Sequence, residues 1–218
     1  MNIEIVHAVI DDLGALLLFT MILIVGASQI SRAIYAVAFQ SLLIAIAGAV
    51  LAMATGNVDL WVIAGITLTV KAIALPWLLL WAIRRMEVKR EVEPVIPDLA
   101  TLTLAVMFVV MSFHLSASLG SVRQAISGNA LPVGIALTLN GVLVMATRKT
   151  ALSQMVGLFA SENGIFFTAM AVTKGMPLII EIGVILDVIL AALVMTIMVL
   201  RVRSTVDADI ADLDRLRG

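Results

Sequence analysis

The chain is dominated by seven apolar runs, at about 10–29, 34–54, 60–83, 99–119, 130–147, 151–172 and 178–200. Each approaches the ~20 residues that a helix needs to cross the hydrocarbon of a bilayer. Composition agrees: 62% of the 218 residues are hydrophobic and 13% charged, with a mean hydropathy of +1.14, far above a soluble domain. The expected fold is an all-α integral membrane protein with about seven transmembrane helices. Connections between the runs are short, so chemistry belongs inside the bilayer or in a partner.

Loop charge sets an expected orientation. Arg32, Arg84, Arg85, Lys89, Arg90, Arg148, Lys149, Arg201 and Arg203 fall on one side, with Arg215 and Arg217 in the tail, against Arg123 and Lys174 on the other. By the positive-inside rule the N-terminus lies outside and the C-terminus in the cytoplasm. Trp61, Trp77, Trp81 and Tyr35 fall at span ends, as interfacial aromatics do. The chain divides into a three-helix group with its cytoplasmic loop (1–98), a four-helix group (99–203) and a tail (204–218). The loop from Arg84 to Asp98 mixes both signs of charge and reads as a topology signal rather than a lipid site. No basic n-region precedes the first run, so a signal peptide is not expected.

Several functions are excluded by residue type. The chain has no cysteine, hence no iron–sulfur cluster or Cys-ligated zinc of its own. Its two histidines, His7 and His114, do not form a facing pair for a haem. Lys71, the lone mid-span lysine, lies on the third run rather than the last, which argues against retinal. A net charge of −1 gives no reason to expect nucleic acid.

Four ionisable residues lie well within the runs: Lys71, Glu162, Glu181 and Asp187. At ~2.5–3.5 kcal/mol each near a helix centre, leaving all four against lipid would cost on the order of 10 kcal/mol. They must face protein, water or one another. Glu181 and Asp187 are six residues apart, roughly 9 Å along a helix and about 120° around it, so they border one broad interior or two interfaces. Burial disfavours the charged form and a neighbouring opposite charge restores it. Lys71 beside one carboxylate keeps that one ionised and leaves the others free to exchange protons, as a relay requires. The bland alternative is a set of structural ion pairs, an alternative strongest for Lys71 with Asp187 and for the shallower Glu181.

Secondary candidates are His114, Asn140 and Asn163, the last beside Glu162. Asn140 and Gln154 are expected to make interhelical hydrogen bonds, and a lone His114 reads as a packing residue. "AIAGAVLAMATG" places small residues where helices pack closely. Pro76, five residues after Lys71, predicts an irregular helix at that point. In the tail, Val206, Ile210 and Leu213 fall at helical spacing after a Ser204 cap, which predicts a short amphipathic helix docking on a partner protein.

Stretches "YAVAFQSLLIAIAG" from Tyr35, "TVKAIALPWLLL" from Thr69, "QMVGLFASENGIFF" from Gln154, "LIIEIGVILDVILAALVM" from Leu178 and the closing "TVDADIADLDRLRG" resemble component E of hydrogenase-4, a membrane subunit of formate hydrogenlyase-type complexes. In that family the last three helices, here 130–200, are similar to the K subunit of respiratory complex I and of multisubunit antiporters, which carries two mid-membrane glutamates. The resemblance implies a non-catalytic subunit of a complex I-related oxidoreductase in a prokaryotic cytoplasmic membrane. Glu162 takes the role of the first glutamate, Asp187 or Glu181 that of the second, and Lys71 joins the same hydrophilic axis. It implies antiporter-like membrane subunits, a quinone-site-type anchor subunit and hydrogenase-like peripheral subunits as partners. The nickel–iron centre and iron–sulfur clusters would sit in those partners, with no cofactor in this chain. Two competing readings are a stand-alone ion transporter and a purely structural scaffold.

Overall fold

The computed structural model describes residues 3–85, 95–118, 129–173 and Gly183. The expected seventh span, Glu181, Asp187 and the tail lie outside the described residues. Within them the chain is helical, with no strand. Five helical stretches are long and apolar enough to cross a membrane: Glu4–Val25, Ile30–Thr55, Val58–Arg84, Asp98–Ser118 and Ala130–Thr147.

The first helix, α1 (Ile3–Val25), starts a full turn and more before the expected residue 10. Val6, Ile10, Leu13, Leu17, Met21 and Ile24 are buried at helical spacing, so a single apolar stripe runs through the whole element. Glu4, His7 and Asp12 lie exposed on the opposite face, where they depress local hydropathy without interrupting the stripe. His7, expected before the first span, therefore sits inside the first helix.

Helix α2 (Ile30–Thr55) is the hub, packing against α1, α7 and the whole third rod. It stops at Gly56, whose φ of 68° closes the end through its N–H to the Ala52 carbonyl at 2.9 Å. That left-handed geometry favours glycine. Asn57 then caps α3 (Val58–Ile66), its Oδ1 accepting from the Asp59 N–H at 2.9 Å.

The third rod is not uniform. Between α3 and α4 (Leu75–Arg85) lies an eight-residue π-helical segment, Thr67–Ala74. Its wider register is seen where Leu75 N–H donates to the Val70 carbonyl, five residues back. Pro76, which has no N–H to donate, follows where the α register resumes. The irregularity expected near Pro76 is thus a widened turn, and it carries Lys71. Such segments are rare and concentrate at functional sites.

Helices α5 (Asp98–Ser118), α6 (Ala130–Thr147) and α7 (Ala151–Thr173) complete the bundle. The antiparallel pair α6 and α7 is held backbone to backbone by glycines seven apart on each helix: Gly134 faces Gly164, and Gly141 faces Gly157. A Cβ on Gly157 would stand 2.7 Å from the Gly141 carbonyl oxygen, and one on Gly141 would stand 2.6 Å from that of Gly157. Only hydrogen fits there, and the close approach fixes the rotation of α7.

At the end of the bundle bearing Arg32, Arg84 and Arg148, one side chain ties three helices. The buried Arg148 guanidinium donates to the Val25 carbonyl at the end of α1 at 2.6 Å and lies 3.7 Å from Asp98 at the start of α5. Burial pulls Arg148 below the usual arginine range, and the Asp98 carboxylate pulls it back up.

Candidate intramembrane charge site

Glu162 sits at the middle of α7 and Lys71 in the π-helical segment, and they meet. Lys71 Nζ lies 3.0 Å from Glu162 Oε1, with the two side chains 3% and 4% exposed. Each carries the other's counter-charge, so neither faces lipid as an isolated ion. Phe166, one turn along α7 from Glu162, places its ring centroid 5.1 Å from the ammonium, within the range of a cation–π contact. Phe166 in turn abuts Gly183, where a Cβ would stand 2.8 Å from the ring Cζ.

Next to the pair runs a buried chain of neutral hydrogen bonds. Asn163 Nδ2 donates to Gln40 Oε1 and to Ser41 Oγ, both at 3.1 Å. Gln40 Nε2 donates to Thr20 Oγ1 at 3.4 Å, and Thr20 Oγ1 to the Leu17 carbonyl at 2.7 Å. The chain crosses α7, α2 and α1 at one depth, and every member is buried. Adjacent residues on α7 thus face different neighbours, with Glu162 turned to the third rod and Asn163 to α2. The amide chain is a rigid frame for α7, since amides and hydroxyls in such a network have few alternative partners.

The other named candidates do not join this cluster. His114 is exposed on α5. Asn140 is buried, but its Nδ2 donates to the Ala136 carbonyl of its own helix at 2.9 Å. Gln154 donates to the Arg148 carbonyl at 3.0 Å, across the turn between α6 and α7. The expected interhelical bonds of Asn140 and Gln154 are therefore replaced by local ones, and Asn163 makes the interhelical contacts instead. Among the described residues no group of His, Cys, Asp and Glu could hold a metal ion.

Sequence reasoning missed Thr20, Gln40 and Ser41, three ordinary polar residues in apolar runs, and read Arg148 only as a loop charge. The glycine pairs were available as a signal, through their equal spacing of seven on both helices.

The protein Rv0085 of Mycobacterium tuberculosis (strain H37Rv), itself uncharacterized, is 34% identical to the chain over 151 residues, which span 69% of this chain and 68% of that protein. No protein-family profile matches the chain. No solved structure matches it.

Proposed function

We propose that this chain, which belongs to the same family as the mycobacterial protein Rv0085, is a seven-span membrane-arm subunit of a complex I-related, hydrogenase-4-type oxidoreductase. Its N-terminus lies outside and its C-terminus in the cytoplasm. It carries out no redox step; it contributes buried charges to a path of protons or other cations that couples electron transfer in its partners to ion movement. The partners are antiporter-like membrane subunits, an anchor subunit and a hydrogenase-like peripheral module, which would hold the metal centres.

One observation supports this reading above the rest: the buried 3.0 Å contact between Lys71 and Glu162. An acid and a base meeting at mid-membrane form a two-state element. When the carboxylate takes a proton the lysine loses its counter-charge and is released to a neighbouring acid. Moving one charge through 100 mV is worth about 2.3 kcal/mol, so a few such exchanges carry useful free energy. By the resemblance to component E of hydrogenase-4, Glu162 and Lys71 would share one hydrophilic axis with Asp187 or Glu181, and the contact supports that reading.

Two measurements test this. Affinity purification of the tagged chain from native membranes in mild detergent is expected to recover large antiporter-like subunits with a [NiFe]-type module. A chain that purifies alone and moves ions in liposomes makes it a transporter instead. In the intact complex, Glu162→Gln is expected to lower redox-driven ion movement while assembly survives. Undiminished pumping by that variant assigns the pair to scaffolding.

A further inference from the structure

On α7 the two groups that meet Lys71 stand one above the other. Glu162 and Phe166 are four residues apart, so they share a face of the helix, about 6 Å apart along its axis. The Lys71 ammonium meets both: it lies 3.0 Å from Glu162 Oε1 and over the Phe166 ring, 5.1 Å from its centroid. One cation therefore has two partners of different chemistry on one helix, a carboxylate that can take a proton and a ring that cannot.

The position of the ring is set from its other side. Phe166 is 6% exposed, and one edge of its ring lies against Gly183, where a Cβ would stand 2.8 Å from Cζ and 3.4 Å from Cδ2. A methyl group there would push the ring aside, whereas glycine leaves it over the ammonium. The face of an aromatic ring is negative and its edge positive, so a cation over the face is attracted, most strongly when both groups are withdrawn from water. With Lys71 3% exposed and Phe166 buried, the contact is of that kind.

The two partners answer a proton differently. Protonation removes the charge of Glu162 and with it most of its hold on the ammonium, whereas the charge distribution of the ring is the same at every pH. A buried cation left without compensation is costly, and the ring is a partner that remains when the acid is neutral.

We propose that Phe166 is a positioning residue for the exchange: its ring is a second cation site for Lys71, and it holds the ammonium in place while Glu162 is neutral. The purpose of this site rests on the proton-coupling reading above. The contact itself is measured without any transport.

Phenylalanine analogues with one, two or three ring fluorines, installed at position 166 of the full chain by nonsense suppression, keep the ring close to its natural size while each fluorine withdraws charge from its face. The folded-to-unfolded ratio is read by denaturant titration in micelles for this series in three backgrounds: the otherwise unchanged chain, Glu162→Gln and Lys71→Met. In Glu162→Gln, which mimics the neutral acid, the ratio is expected to fall with each fluorine, by about ten-fold across the series. In the otherwise unchanged chain the fall should be smaller, because the carboxylate also holds the ammonium. With Lys71→Met it should vanish. A Glu162→Gln chain that folds too poorly to titrate in micelles is read in the intact complex by its thermal midpoint, with the same order expected.

Equal slopes with and without Lys71→Met assign the ring to packing and overturn the proposal. A slope in Glu162→Gln no steeper than in the otherwise unchanged chain overturns it as well. If the lysine-dependent slope is found while Glu162→Gln leaves redox-driven ion movement unchanged, the ring contact stands and the coupling role fails. If Glu162→Gln lowers ion movement while the fluorine series is flat, the coupling role stands and Phe166 has no part in it.

Discussion

At the scale of single residues, the Lys71–Glu162 pair sets the stakes. Removing one member of a buried pair leaves an uncompensated charge and costs roughly 3–5 kcal/mol, whereas replacing both by apolar or neutral groups is often close to neutral. Lys71→Met and Glu162→Gln are each expected to lower thermal stability in detergent more than the double variant does. Calorimetry or scanning fluorescence of the four proteins closes the cycle, and additive losses would mean that the pair does not interact. Asn163→Leu removes the two bonds that Asn163 Nδ2 donates to Gln40 and Ser41. Interhelical polar contacts in membranes average about 0.6 kcal/mol, with about 1.7 as a maximum, so its loss should be the smaller. The charges were legible in the sequence, because an ion in an apolar run is conspicuous. Which carboxylate Lys71 meets was not, since depth along a helix says nothing about rotation.

Elements are governed by how closely backbones approach. Gly141 and Gly157 leave no room for a methyl group, while Gly65, on α3, has nothing within 4 Å of where its Cβ would lie. Gly157→Ala should force α6 and α7 apart at a cost of about 1–3 kcal/mol. Gly65→Ala should instead be neutral or stabilising by up to about 1 kcal/mol, because alanine favours the helix. Denaturant titration in micelles that ranks the two the other way would reject the close-packed pair. Pro76 was readable as a break, yet the eight-residue π-helical segment before it depends on packing that no local pattern encodes. Helix α1 carries the opposite lesson: its start was misplaced because hydropathy averages over both faces, while burial follows Val6 and Ile10 on one.

For the whole molecule, the arginine-bearing end is both a topological signal and a structural clasp. Arg148 joins the ends of α1, α5 and α6 through the Val25 carbonyl and Asp98. Arg148→Met should leave that buried carbonyl unsatisfied and reduce stability by about 1–3 kcal/mol, visible as a lower unfolding midpoint. Reporter fusions test the orientation: one at Gly56 should report the outer side and one at Lys149 the cytoplasm. Reversal of those signals would invert the proposed orientation of the chain.

Sequence alone determined that this chain is a bundle of long apolar helices and that Lys71 and Glu162 need company, because the cost of a charge in hydrocarbon does not depend on the partner's identity. It also marked Pro76 as a break and Glu162 with Asn163 as a polar centre in an apolar helix. Tertiary structure decided that Lys71 and Glu162 meet, that Asn163 turns away to Gln40 and Ser41, and that the Phe166 ring lies over the ammonium. Those outcomes rest on helix rotation and separation, which the glycine contacts between α6 and α7 and the widened turn at Lys71 set, and rotation follows from the fit of several helices at once.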